Sequence, residues 1–222
     1  MAQEPVSRIL DRLRAAGSPA NVAGMARYGI RPAQAYGVAA PVLRSIAKEL
    51  RRDQAMAMAL WATGVHDARA LATLIADPKR ISEAEAEEWL RAFDCWAICD
   101  SACLHLLCKT PFAWRKVREW AAREPEYERR AAFALVAALA VHDKQATDRQ
   151  FRMALRLVRE ASGDERNYVK KAVNWALRQI GKRNAALRLA ALETAEALAA
   201  SKSRSARWIA AGALRELRGK SV

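Results

Sequence analysis

Trp96 and Asp100 stand four residues apart in Asp94-Cys95-Trp96-Ala97-Ile98-Cys99-Asp100. On a helix that spacing puts an indole and a carboxylate on one face. Together they could hold a water or stabilise a developing cation, although a lone Asp100 also reads as a cap or a salt-bridge partner. A second group lies on a helix expected over 165–181. With 3.6 residues per turn, Tyr168, Lys171, Trp175, Arg178 and Lys182 fall on one stripe, while Ala172, Val173, Ala176, Leu177 and Ile180 make the face that packs inward. Two readings of the stripe stand: a nucleic-acid edge, with cations for phosphates and rings for sugars, or a solvated basic face with Trp175 half-buried at a helix seam. A third stripe, Arg204, Trp208, Ala211 and Arg215, repeats the basic-plus-Trp theme. There Trp208 is expected to plug the core of a terminal helix.

Other chemistry is scarce. The four cysteines fall at 95, 99, 103 and 108, the first three on one helical face. They lack the paired C-x2-C turns of structural zinc and read as small buried hydrophobes. The three histidines are scattered, with no HExxH pair, and no P-loop or GxGxxG is present. No metal and no cofactor are expected. An enzyme built on this chain would have to work with carboxylate and aromatic groups.

The charge points to a polyanion. Lys and Arg number 38 against 24 acids, a net +14. Residues 163–222 hold 13 Lys/Arg and 5 Asp/Glu, so +8 of that excess lies in the last 60 positions. Nucleic acid is the leading partner for such a field; the alternative is a basic chain from an Arg-rich proteome. No apolar run approaches the ~18 residues that span a bilayer. The opening Met-Ala-Gln-Glu-Pro-Val-Ser shows no signal-peptide pattern. The expectation is a cytoplasmic, reduced environment, with the protein on the nucleoid of a bacterial cell through its DNA and no membrane contact.

The elements that must position these residues are helices. Nine glycines and seven prolines in 222 residues fall well below the average of about 12%. Ala, Leu, Arg and Glu dominate, and no period-two run or hairpin turn suggests a strand. Helices are expected at 5–15, 19–28, 41–50, 53–62, 67–76, 82–93, 96–108, 112–123, 126–141, 147–161, 165–181, 184–200 and 203–218. Ser82-Glu83-Ala84-Glu85 is a capping box, and Pro41, Pro111 and Pro125 suit first turns. Ala176-Leu177-Arg178 recurs 37 residues later at Ala213, and Arg129-Arg130-Ala131-Ala132 resembles Lys170-Lys171-Ala172-Val173, 41 residues on. Helical pairs at a period near 40 predict an all-α, HEAT-like repeat solenoid, read as a single domain over 1–222 with a concave basic face. A helical bundle without repeats is the alternative.

These pieces together resemble the AlkD family of DNA alkylation repair glycosylases, over about residues 20–218. The resemblance rests on Met25-Ala26-Arg27-Tyr28 followed by Gly37-Val38, Pro41 and Leu43-Arg44. It continues in Trp96-x3-Asp100, in Arg129-Arg130-Ala131, and in Lys171-Ala172-Val173-Asn174-Trp175-Ala176-Leu177-Arg178. It implies release of N3- and N7-alkylated purines from double-stranded DNA, and a monomer with no obligate protein partner is expected. By that resemblance Asp100 would hold the attacking water and steady the sugar cation, with Trp96 and Trp175 against the deoxyribose. Arg130 would grip a phosphate near the lesion and Tyr28 would line the same cleft. Independently of the resemblance, the nucleic-acid reading of the 165–181 stripe has Lys171, Arg178 and Lys182 track the DNA backbone. The chain departs from the pattern after Tyr28, where Gly-Ile-Arg-Pro follows, and in a longer connection between the Arg130 and Trp175 helices.

Overall fold

The computed structural model describes residues 5–219. The reading of the first four residues as part of a signal-free opening lies outside that range. Among the described residues there are thirteen α-helices and no strand. They are α1 Val6–Ala15, α2 Pro19–Met25, α3 Ala40–Leu50, α4 Gln54–Ala62, α5 His66–Ile75, α6 Glu83–Arg91 and α7 Trp96–His105. Then come α8 Ala113–Ala121, α9 Glu126–His142, α10 Asp148–Ala161, α11 Asn167–Gly181, α12 Ala185–Ala199 and α13 Arg204–Arg218. No helix among the described residues is long and apolar enough to cross a membrane.

Local sequence sets most of these boundaries. Ser18, Asp53, Asn184 and Ser203 cap α2, α4, α12 and α13 with side-chain oxygens on the third amide. Ser82 and Glu85 form the expected capping box, and Thr147 and Gln150 form a second. Each such cap satisfies amides that the first helical turn leaves unpaired. Two expected helices end early. The 19–28 segment tightens into a 3₁₀ turn over Ala26–Tyr28, because Gly29 follows in the left-handed region at φ 72°. The 96–108 segment stops at His105, where Leu106 leaves helical geometry, and a separate 3₁₀ turn covers Leu107–Lys109.

The chain clusters into two compact units, the first ending at Leu106 and the second beginning at Leu107. In the first, α5 is central and packs on α3, α4 and α7. Its core includes a parallel stack of Trp61 on Trp89, with ring centroids 4.0 Å apart. In the second, α9 packs on α8 and α11, and α11 packs in turn on α12 and α13. Every residue of α9 from Arg130 to Ala140 is buried, which suits a helix that is apolar nearly all round. From Glu126 of α9 to Asn167 of α11 is 41 positions, and from there to Arg204 of α13 is 37. These are the two offsets at which the sequence repeats itself. The predicted inner face of α11, Ala172, Val173, Ala176, Leu177 and Ile180, is fully buried. Asn174 is buried beside it and donates to the carbonyl of Ile209. A Cβ at Gly212 would stand 2.7 Å from the Asn174 amide, so the glycine lets α13 close onto α11.

One arginine device recurs. Arg69, fourth residue of α5, turns Nε toward the carbonyl eight residues back, Trp61, and its guanidinium lies 3.6 Å from Asp94. Arg129, fourth residue of α9, donates Nε to Ala121, again eight back, and pairs with Asp164 at 3.3 Å. Each aspartate lies just before a further packed helix, α7 or α11. The same polar contact is thus made once in each unit, 60 positions apart.

Candidate nucleic-acid interface and active site

Trp96 is the first residue of α7 and Asp100 lies one turn further on; both are half-buried. The inward face of the same helix carries Ile98, Cys99, Ala102 and Cys103, so its apolar side is occupied by the core. The indole is fixed by its N–H, which donates to the backbone carbonyl of Tyr28 at 2.8 Å. The Tyr28 ring itself is 71% exposed. The resemblance has Tyr28 line the cleft; in the structure its carbonyl holds Trp96.

The loop that follows Tyr28 has an anchor that the sequence did not reveal. Asp67 is buried, and its carboxylate accepts from the amides of Tyr36 at 2.6 Å and Val38 at 2.7 Å. Gly37, between them, has φ +76°, and a Cβ there would fall 2.4 Å from the Ser18 carbonyl. Asn21 donates to the Gly37 carbonyl at 2.9 Å. Glycine is thus required at the turn, and Asp67 ties the 36–38 segment to α5. A cavity of about 470 Å³ opens here, lined by Met25, Tyr28, Val38, Leu43, His66 and Asp67 among others. His66 is held below the ordinary histidine range by burial, against the opposing charges of Asp67 and Asp94.

All four cysteines are buried and free of disulfides. Their reading as buried thiols fits this placement. Burial is the main cause that pushes the Cys95 thiol up to about 12. The sequence did not show that His66, Asp94 and Cys95 converge, with one ligand-type atom from each inside 4.8 Å of the others. Arg69 beside Asp94 places a cation against that group.

The second unit holds the remaining candidates. Trp175 is half-buried on α11, and Lys171 one turn before it is exposed. Arg178 and Lys182 continue the stripe, but both pair with Glu216 of α13, Arg178 at 2.5 Å. Glu216 is held below the usual glutamate range, chiefly by the Lys182 hydrogen bond and then by Arg178, against burial. Two of the three cations expected to track a backbone are therefore partly neutralised by a residue 34 to 38 positions away. Arg130 is only 6% exposed and donates to the Tyr168 carbonyl at 2.6 Å, which ties α11 to α9. The Tyr168 amide also donates to the Glu126 carboxylate, and the Tyr168 ring lies 5.6 Å from that of Tyr127.

Trp208 corrects the sequence reading. It is 45% exposed and does not plug the core. The core face of α13 is already filled by Ala206, Ile209, Ala210, Ala213 and Leu217, and Trp208 falls off that face.

Residues 9–217 match the family described as DNA alkylation repair enzyme. The chain belongs to that family. No curated protein matches it. A solved structure aligns over 87% of this chain and 83% of its own, at 23% identity and a TM-score of 0.78. It is described as a new family of proteins related to the HEAT-like repeat DNA glycosylases with affinity for branched DNA structures. At that identity the likeness shows the fold, and this alkylation repair family member is an all-helical, HEAT-like repeat protein. Within the family member, the residues that sequence reasoning missed are Asp67, Asn21, Arg69 and Glu216. All four act on partners 16 to 38 positions distant in sequence.

Proposed function

We propose that this chain is a DNA glycosylase that hydrolyses the N-glycosidic bond of N3- and N7-alkylated purines in duplex DNA. The observation that carries the reading is the Trp96–Asp100 pair: half-buried, one helical turn apart, with the indole fixed through Tyr28. Alkylation at N3 or N7 leaves the purine positively charged. When the bond from C1′ to the base breaks, its electron pair neutralises that charge, so the leaving group needs no acid. What remains is an electron-poor sugar carbon, which water attacks while losing its proton to the carboxylate or to solvent. A fixed anion and an electron-rich ring face stabilise that carbon without rearranging as charge develops. The resemblance assigns Trp175 to the same step as a second ring and Arg130 to a phosphate, and the basic stripe of α11 adds Lys171, Arg178 and Lys182 as further phosphate contacts. For Arg130, burial adds a tie between helices to whatever phosphate contact it makes.

A second reading is non-catalytic binding of branched or damaged DNA. It is favoured by the structural relative described with affinity for branched DNA, and by the pairing of Arg178 and Lys182 with Glu216. Release of 7-methylguanine from methylated duplex, absent in Asp100→Asn, supports the enzyme. No release, together with tighter binding to a junction than to linear duplex, replaces it with the second reading. Duplex affinity should also fall with salt at roughly −0.9 in log–log slope per phosphate contacted, and a slope near zero removes both.

A further inference from the structure

We propose that Trp208, with Lys170, Lys171, Arg204 and Arg215, forms a second DNA contact that holds the sugar–phosphate backbone of undamaged duplex. This rests on the reading of the protein as a duplex-DNA binder. It extends onto α13 the contact that the catalytic reading gives to Lys171, and gives a task to Trp208, Lys170, Arg204 and Arg215, which that reading leaves without one.

The patch lies within the second unit, on α11 and α13. A tryptophan left 45% exposed is unusual when the core beside it is already filled, since burying its ring would otherwise stabilise the fold. Lys170 of α11 places its ammonium 5.8 Å from the centre of the Trp208 ring. Arg204 lies one turn before Trp208 and Arg215 two turns after it, so all three share a stripe, with the small exposed Ala211 between. Lys171, Arg204 and Arg215 are exposed and make no ion pair among the described residues. The nearby acids are committed elsewhere: Glu165 accepts from the Ser205 amide, and Glu216 is taken by Arg178 and Lys182.

An uncompensated row of cations around one flat ring suits an anionic polymer whose sugars present apolar faces between phosphates. At 1.5 Å per residue, Arg204 to Arg215 spans roughly 16 Å. Duplex DNA rises that far in about five base pairs. An apolar protein surface would leave the cations desolvated and unpaired, and a simple anion would leave the ring unused. The gap at Ala211 admits a backbone that a larger side chain would hold off. Because the contact involves backbone alone, it acts on damaged and undamaged duplex alike.

The test uses the full chain and a fluorescent 20-base-pair duplex, with and without a single 7-methylguanine. Trp208→Ala should weaken both by the same factor, roughly tenfold, toward the lower end of aromatic contacts with nucleic acid. Trp208→Phe should recover most of the loss, because the ring is kept. Arg204→Gln with Arg215→Gln should weaken binding and lower the salt slope by about 2. Melting is measured on the same preparations: Trp208→Ala should stay folded at the binding temperature and Trp208→Phe should melt closer to wild type, which separates binding from folding. If wild-type protein binds duplex and Trp208→Ala binds equally well, this proposal is overturned and the DNA reading stands. If wild-type protein fails to bind duplex even at low salt, the DNA reading itself falls. A dimer of wild type that Trp208→Ala converts to monomer in sedimentation reassigns the patch to a second copy of this chain. A loss confined to single-stranded DNA likewise overturns the duplex assignment.

Discussion

Replacing Asp100 by Asn removes one negative charge from the second turn of α7 and changes little else in shape. If the carboxylate stabilises a sugar cation about 4 Å away, Coulomb attraction at an effective dielectric near 20 is about 4 kcal/mol. Half-burial exposes the group to some solvent screening, which brings the loss toward about 3 kcal/mol. At 1.36 kcal/mol per tenfold, that is a fall of roughly 10² in excision rate. The same change has a structural cost that can be bounded. A carboxylate near a helix N-terminus contributes about 0.3–1 kcal/mol, and Asp100, beyond the first turn, belongs at the low end. For a chain of this size 1 kcal/mol moves Tm by about 2–4 °C, so Asp100→Asn should melt within a few degrees of wild type. The assay is single-turnover release of 7-methylguanine from duplex, with melting measured on the same preparation. Affinity for the duplex should hold or rise, because an anion near phosphates has gone. A well-folded Asp100→Asn protein that excises at the wild-type rate would falsify the assignment.

Three further outcomes follow from the geometry. Asp67→Ala leaves the part-buried Tyr36 amide and the buried Val38 amide without an acceptor, at about 1–3 kcal/mol each, so Tm should drop by roughly 4–24 °C; an unchanged Tm refutes the anchoring role. Purified protein should carry no stoichiometric zinc, and chelator should leave melting unchanged, because His66, Asp94 and Cys95 meet beside Arg69 and the Cys95 thiol is pushed up to about 12; one bound equivalent overturns this. Glu216 is held down by Lys182 and Arg178. Asp164, which burial pushes up, is drawn down on balance by Arg166 and Arg129. With folded values depressed, their stabilisation is complete above the unfolded values of 4.5 and 3.8 and is lost as pH falls through the folded ones. Urea unfolding of wild type and Glu216→Gln should therefore differ at pH 7 and converge at the acid end; a gap that persists unchanged at acid pH refutes the ion-pair account.

Short-range order was legible in the residues themselves. Helix capping and the 3.6 period act within a few positions, so Ser82 with Glu85, the shared face of Trp96 and Asp100, and the buried face of α11 could be read directly. The offsets of 37 and 41 residues, visible as faint repetition, correspond to the steps between α9, α11 and α13. Side-chain fate across those steps was not legible. Whether a tryptophan on a terminal helix is core or surface depends on which stripe its neighbours cover, and α13 spends its inward stripe on alanines, Ile209 and Leu217, leaving Trp208 outside. Arg178 and Lys182 look like free cations until Glu216 arrives from 34 to 38 positions away, and Arg130 looks like a surface cation until α11 covers it. Asp67 gives no local sign of gripping a loop some 30 residues earlier. Periodicity is a property of one helix, fixed by backbone geometry. Charge pairing and exposure are properties of two helices in register, and that register is set only when their apolar faces close together.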